Sequence, residues 1–566
     1  MCRPTRQDKL HPRASKMAFV LLLIRNTIGR RVASDSFSPS AGFSCQSPVS
    51  TFVRAGSCIG SYLPARYSLG RGGSTIRYLT EDEEGGMILS KGTRSVVTGS
   101  KQRRGRKSKP WQGPFAYHEE LELTVESLTN LGWGICRASL PSVPDAQSPE
   151  MPLPTPSTPG GPRESPEGWV VMVPGVIPGE RIRLRIYRNH KNYSEADLMH
   201  VLESSPERVE PACPLFGTCG GCQYQHMSVA AQRAWKREHV LQVLARTGNV
   251  TGVAVQETIG TEHTLGYRSK ITPHHEKPRG GEIREIGFLK LGSRALVDVP
   301  ECAIATPAIN ARLRGLREEV RVTARAAAVA ETPRKPKGAT LLLRETREGV
   351  VTDPRAEVSD QVGGLLFKYT AGSFFQNNPY VLPHMVEYVV RKAGAPNVRY
   401  LVDAYCGGGL FCLSASKNFE ACYGVEISEL AILSAQRNAE LNKIGNCHFQ
   451  AGDATDIFAG IGHISGADTV TILDPPRKGC DEGFLTQLCR FRPARIVYVS
   501  CDPATQARDA RFLLERGYDI EEVQPFDLFP QTRHIENVIV FVEAHRTGAG
   551  AGPVPPWAGE GGTASL

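Results

Sequence analysis

Cys501 stands directly after the apolar run of "RIVYVSCDPATQARD" (residues 495–509), with Asp502 and Pro503 immediately behind it. A lone cysteine in apolar company is usually a small buried hydrophobe, so its neighbours must decide its role. A second strand-like run ends at Asp474 in "LDPPRKGC" (473–480), with Arg477 and Lys478 just beyond. If the two runs are adjacent strands of a parallel sheet, Asp474 and Cys501 project into one pocket. The two cations would then face a phosphate backbone. A thiol, a carboxyl and flanking cations suit covalent nucleophilic chemistry on a nucleic acid.

A separate group of cysteines has metal-ligand spacing. "CPLFGTCGGCQYQHM" places Cys213, Cys219 and Cys222 as C-x5-C-x2-C, and Cys302 in "DVPECAIATPAIN" is a fourth candidate. Four thiolates hold either a tetrahedral zinc or a [4Fe-4S] cluster. Zinc sites more often pair two short hairpins, whereas three clustered cysteines and one distant one suit the cluster, with zinc as the alternative. Four protein ligands leave no open iron, which implies a structural role.

The third constellation belongs to a cofactor. Gly407, Gly408 and Gly409 form a turn after a strand, but G-x-G-x-x-G counted from Gly407 reaches Cys412, so the phosphate-cradling fingerprint fails. Glu426, nineteen residues past Gly407, can accept both hydroxyls of a ribose, and Asp453 can meet an adenine amino group. A ribose and an adenine without a phosphate describe S-adenosylmethionine.

The elements that must position these residues read clearly in the C-terminal part. From Val398 to Glu543, five strand runs alternate with helical patterns, including a helix capped at Ser428. That alternation predicts an α/β fold, a doubly wound Rossmann-like sheet with its site beyond the carboxyl ends of the strands. Nearer the amino end, "ESLTNLGWGICR" and "VPGVIPGERIRLRI" alternate around glycine turns and predict a small β-barrel. These segments resemble a TRAM domain, an RNA-binding barrel of OB type, in which Trp133, Arg183 and Arg185 would meet nucleic acid.

Composition sets the remaining bounds. The chain has 566 residues, 40% hydrophobic content and a net charge of +9, and the first 80 residues hold twelve Lys or Arg against two Asp. From residue 81 onward the charge is therefore close to neutral. The acid-poor leader, with "MAFVLLLIRNTIGRRVASDSFSPS" at its centre, predicts import into a mitochondrion or plastid. Its apolar run is too short to span a bilayer, and no membrane partner is expected. Fifteen cysteines at scattered spacings argue for free thiols or metal ligands in a reducing compartment. The expected organisation is a leader at 1–80, a basic linker at 81–116, the barrel at 117–204 with a Pro/Ser-rich insert at 140–168, a cluster-bearing region at 205–370, a methyltransferase domain at 371–545 and a tail at 546–566.

Taken together, "FFQNN", "DAYCGGGLF", "GVEIS", "LDPPRKG", "VSCDP" and "FPQTRHIENV" resemble the RNA uracil-C5 methyltransferase family, over about Tyr117 to Val542. The "C-x5-CGGC" cysteines resemble the iron-sulfur site of several of its branches. The resemblance implies formation of 5-methyluridine in tRNA or rRNA by a single chain, with S-adenosylmethionine as methyl donor. Cys501 would add to C6 of uracil, pushing charge onto C5, and Glu536 matches the general base that removes H5. By the same matching Gln376, Tyr405, Glu426 and Asp474 are cofactor or pocket contacts, with Asp453 a looser one. Leu410 departs from the family, where a polar Asn is frequent. Either Phe374 or Phe375 could stack on a flipped base or simply pack in the core. An ordinary thiol, with a pKa near 8.5, is only a few per cent thiolate at neutral pH. The pocket should therefore lower that value or take the proton in concert. A noncatalytic RNA-binding protein on the same scaffold, or a cytosine methyltransferase, are the rival readings.

Overall fold

The computed structural model describes residues 80–81, 87–88, 113–140, 168–329, 337–452 and 458–544. The leader, the basic run 101–109, most of the Pro/Ser insert, Asp453 and the C-terminal tail lie outside the described residues. Residues 80–81 pair with 87–88 in a short antiparallel ladder within one unit, Met1–Arg104; the other unit is Gly105–Leu566. Among the described residues, no helix is long and apolar enough to cross a membrane.

The barrel is closed and has five strands: β1 (Glu120–Leu128), β2 (Trp133–Ala138), β3 (Trp169–Pro174), β4 (Arg181–Asn189) and β5 (Tyr193–Glu203), in the order β1-β2-β3-β5-β4. Period-two alternation buries Cys136, Val171, Val173, Ile182, Leu184 and Ile186 inside. Closure leaves no free edge. On the outside, Arg183 is bonded to Glu122 and Arg185 to Asp197, so these two predicted RNA contacts are already paired.

Helix α1 (Val229–Arg246) begins at Ser228, whose hydroxyl caps the Ala231 N–H. Short antiparallel sheets and α2 (Pro307–Val329) complete the middle of the chain. Beyond α3 (Leu382–Ala393) comes the expected α/β layer. Its strands are β6 (Tyr400–Ala404), β7 (Ala421–Glu426), β8 (Cys447–Ala451), β9 (Thr469–Leu473), β10 (Arg495–Ser500), β11 (Tyr518–Phe526) and β12 (Glu536–Glu543), ordered β8-β7-β6-β9-β10-β12-β11. Five of the seven are the strands expected from sequence. The added pair, β11 and β12, carries the one reversal, because β12 runs antiparallel to both neighbours.

Both faces of the sheet are covered, which explains why its strands read as unbroken apolar runs. Val402, Leu473, Ile496 and Tyr498 face one core with α1, α6 (Glu482–Phe491) and α7 (Pro503–Leu514). Leu401, Val470, Ile472, Val497 and Val499 face the other with α3 and α4 (Leu410–Ala415). Helix α5 (Glu429–Leu441) follows β7, with Ser428 as its cap, as the sequence predicts. The α1 helix and residues 255–259, which the sequence assigns to the central region, pack on the catalytic sheet. Gln256 N–H donates to Val523 O and Ile259 N–H to Pro525 O along the outer edge of β11.

Candidate active site

Cys501 follows the last residue of β10 and precedes α7, whose cap Asp502 accepts from the N–H groups of Ala504 and Thr505. In the β10–β12 register Ser500 faces Asn537, so Cys501 and Glu536 end up opposite each other at the same edge of the sheet. Gln506 locks this corner: its side-chain amide donates to the carbonyls of Tyr498 and Asn537, and it accepts from the Asn537 amide at 2.7 Å. Glu536 is buried and Cys501 half-buried.

Asp474 ends β9 beside them, on a loop that α7 holds in place. Thr505 Oγ1 donates to Arg477 O, the Arg508 guanidinium donates to Lys478 O, and Asp509 accepts from Cys480 N–H at 2.8 Å. The loop thereby presents the exposed Arg477 to the thiol of Cys501, with which its guanidinium hydrogen-bonds, and to His534 Nδ1 at 3.5 Å.

The electrostatics correct one expectation. Burial first, then the Glu536 and Asp474 carboxylates, push the Cys501 thiol up to about 11, against the opposing pull of Arg477. The pocket does not acidify the free thiol, despite its place before a helix N-terminus. In the free protein the thiol is therefore protonated at neutral pH. Burial likewise raises Asp474 to about 7 and Glu536 well above the carboxylate range, the latter aided by repulsion from Asp474. A dry pocket with crowded acids favours a cationic guest.

The other predicted contacts line the same edge. Gly407 and Gly409 take the left-handed conformation, and Tyr405 adopts φ +67°, a strained geometry for an aromatic residue that aims it at Phe484. Glu426 ends β7 and accepts from the N–H groups of Gly407 and Ser428, at 3.3 and 3.0 Å. Gln376 is partly buried on the loop before α3. Leu410 is partly buried and packs against the core on the α3–α4 face of the sheet. The two candidate stacking rings separate cleanly: Phe375 stacks on Tyr369 at 4.5 Å, whereas Phe374 is 78% exposed.

Several residues had no signal in the sequence. Lys270 and Arg344 both donate to Ser373 O, fixing the loop that carries Phe374. Burial and the neighbouring Arg344 and Arg268 depress Lys270 to about 8. Burial first, then Arg477, Arg533 and Arg268, depress His534 to about 4, and these three arginines with Lys270 form a cationic rim. Their strands are too short to show a period, so only the fold brings them together. Cys213, Cys219, Cys222 and Cys302 do meet, around one cavity of about 790 Å³ that Trp133, Arg268 and Arg533 also line.

A family model for tRNA (uracil-5-)-methyltransferase matches residues 353–544. The tRNA (uracil(54)-C(5))-methyltransferase of Schizosaccharomyces pombe is 38% identical over 66% of this chain and 74% of its own length. The corresponding enzyme of Saccharomyces cerevisiae is 32% identical over 67% and 70%. An RNA methyltransferase of Halalkalibacterium halodurans is 31% identical over 76% of this chain and 98% of its own. The chain belongs to the RNA uracil-C5 methyltransferase family. The methyltransferase also shares its fold with the Pyrococcus abyssi tRNA (uracil-54, C5)-methyltransferase, at 22% identity and a TM-score of 0.53 over 75% of this chain and all of the other. Its activity is S-adenosylmethionine-dependent methylation of uracil C5 in RNA.

One pH effect follows from the pocket. Asp474 is raised from 3.8 to about 7 on folding, so the folded state binds its proton more tightly than the unfolded chain. The stability this contributes is complete below about pH 4 and lost as pH rises through about 7. In thermal melts of the ligand-free methyltransferase, Asp474→Asn should match the parent near pH 4 and melt higher than it at pH 8. An unchanged gap at the two pH values would contradict this.

Proposed function

We propose that the methyltransferase acts on tRNA through a covalent bond between Cys501 and C6 of the target uracil, with Glu536 as the base for H5. The observation that carries this reading is the β10–β12 register, which sets the thiol and the carboxyl opposite each other. Arg477 hydrogen-bonds the sulfur and steadies charge as it forms there. The thiol passes its proton to the part-ionised Asp474 carboxylate as sulfur adds to C6, and the C5=C6 electron pair moves onto C5 and O4. S-adenosylmethionine supplies the electrophilic methyl group for C5. Its positive sulfonium suits the acid-lined edge, with Glu426 on the ribose and Asp474 and Tyr405 in the reaction pocket. Glu536 then takes H5, the double bond re-forms, and Cys501 leaves with the C6–S electron pair. All these residues come from one chain, so a monomer suffices. The identities to two tRNA uracil-54 enzymes favour tRNA over rRNA.

The target atom is out of reach in a stacked helix, and the exposed Phe374 ring offers a face for the displaced base or its neighbour. The cationic rim would bind the phosphates. In this reading the barrel is of TRAM type and meets RNA through the Leu131–Trp133 turn, beside Arg268 and Arg533. Arg183 and Arg185 are held by carboxylates and serve less well.

The cysteine cavity fits a [4Fe-4S] cluster better than zinc. One zinc draws its sulfurs to about 3.8 Å apart, yet among the described residues no three of these four sulfurs lie within 4.8 Å of one another. Burial raises the thiols of Cys219, Cys222 and Cys302, so a cationic centre is needed to hold them ionised. Gln223 and Tyr224, next to Cys222, donate their N–H groups to Gln531 O on the loop leading to Glu536. The cluster would thus brace the base. The acid-poor leader supports import into a mitochondrion or plastid.

Four experiments address these points. Cys501→Ala should neither methylate tRNA nor form an adduct with it. Glu536→Gln should slow turnover by roughly 10²- to 10⁴-fold and accumulate a methylated protein–RNA adduct on denaturing gels. Turnover at the parent rate in Glu536→Gln would refute the base, and 5-methyluridine lost only from rRNA in cells lacking the protein would refute the tRNA target. Protein purified anaerobically should contain about four iron and four sulfide; one zinc without iron would exclude the cluster. A fluorescent fusion of residues 1–80 should enter an organelle, and a diffuse cytosolic signal would defeat that assignment.

A further inference from the structure

A second group of thiols meets at the opposite end of the catalytic sheet. Cys412 lies in α4, Cys422 near the start of β7, and Cys447 opens β8; their sulfur atoms all lie within 4.8 Å of one another. The parallel register sets Cys422 directly beside Cys447. Cys447 Sγ also donates to Cys412 O at 3.6 Å. Glu426 is four residues further along β7, about 13 Å of strand, so this group is separate from the cofactor edge. It shares no residue with the four-cysteine cavity.

Cys412 and Cys422 are buried among Leu413, Phe419 and Ala439, and Cys447 packs against them from the edge strand with one side partly open. All three are free thiols. Asp403 on β6 is fully buried nearby. One of its carboxylate oxygens accepts from Cys412 N–H at 2.9 Å, while Oδ1 has no hydrogen-bond partner. The surroundings are therefore apolar, and burial keeps the Asp403 carboxyl neutral with one oxygen unpartnered.

We propose that Cys412, Cys422 and Cys447 form a binding site for a thiophilic divalent cation of the zinc class. A metal 2.3 Å from each of three thiolates sets them about 3.8 Å apart, an arrangement the free sulfurs already approach. All-sulfur donors exclude magnesium and calcium. Three thiolates around a dication leave one negative charge, and around a monocation two; the apolar setting favours the smaller. On binding, three metal–sulfur bonds form and the three thiol protons pass to solvent, with no oxidation. The open side of Cys447 is the entry path and leaves room for a water as fourth ligand. The site would tie α4, which follows the glycine turn, to β7, which carries Glu426, and to the edge strand β8.

The test uses reduced, full-length protein that keeps the centre in its four-cysteine cavity, cleared of loosely bound metal with EDTA, desalted and titrated with Co²⁺. The parent should show a thiolate-to-cobalt charge-transfer band, and Cys447→Ser should bind one equivalent less than the parent. As a check free of folding defects, Zn²⁺ should protect Cys447 of the parent from iodoacetamide, read by mass spectrometry, and EDTA should restore its reactivity. Equal cobalt in the parent and Cys447→Ser, or alkylation of Cys447 indifferent to zinc, overturns the proposal.

Discussion

The antiparallel pairing of β12 against β10 is the contact on which the active centre depends. A side chain at the end of one strand meets one at the start of its antiparallel neighbour, which is how Cys501 and Glu536 come to share a pocket although 34 residues separate them. A register slip of one residue would turn Glu536 to the other face of the sheet. The pairing is held by the Gln506 and Asn537 side chains, fully buried and hydrogen-bonded to each other and to both strands.

The segment leading into β12 is irregular, and groups from the central region and from the loop before α3 hold it. Lys236 Nζ donates to Asp527 Oδ1 at 2.5 Å and to Phe529 O, Tyr267 Oη donates to Pro530 O, and Asn378 donates to Leu528 O. Gln232 and Gln531 exchange two hydrogen bonds, and Gln531 takes φ +67°. Lys236 and Asp527 are both fully buried. Breaking such a pair by removing one partner typically costs about 3–5 kcal/mol, because the other charge stays behind. The polar cost of burying this cluster is spent on placing the loop, which couples the cysteine-bearing segment to the base through Gln531.

Burial both builds the site and restrains it. It holds the Cys501 thiol and the Glu536 carboxyl in their neutral forms in the free enzyme and raises Asp474 to about 7. The same crowding makes the pocket complementary to a positive sulfonium, whose charge lowers the cost of ionising both acids.

The sequence alone determined what depends on local pattern. Apolar runs ending at Ala404, Glu426, Leu473 and Ser500, separated by helical periods, were enough for a parallel sheet and its carboxyl-edge site, and alternation around glycine turns was enough for the barrel. The motif set around Cys501 and Glu536 was enough for the family. Only the tertiary structure decided the rest: the reversal of β12 that faces Glu536 toward Cys501, the rim assembled from Arg268, Lys270, Arg477 and Arg533, and the neutral state of the thiol. A pKa depends on how many atoms exclude water and which charges face the group. Neither is set by residues next to it in the chain, and so the sequence left open whether the pocket acidifies Cys501, which the fold holds protonated.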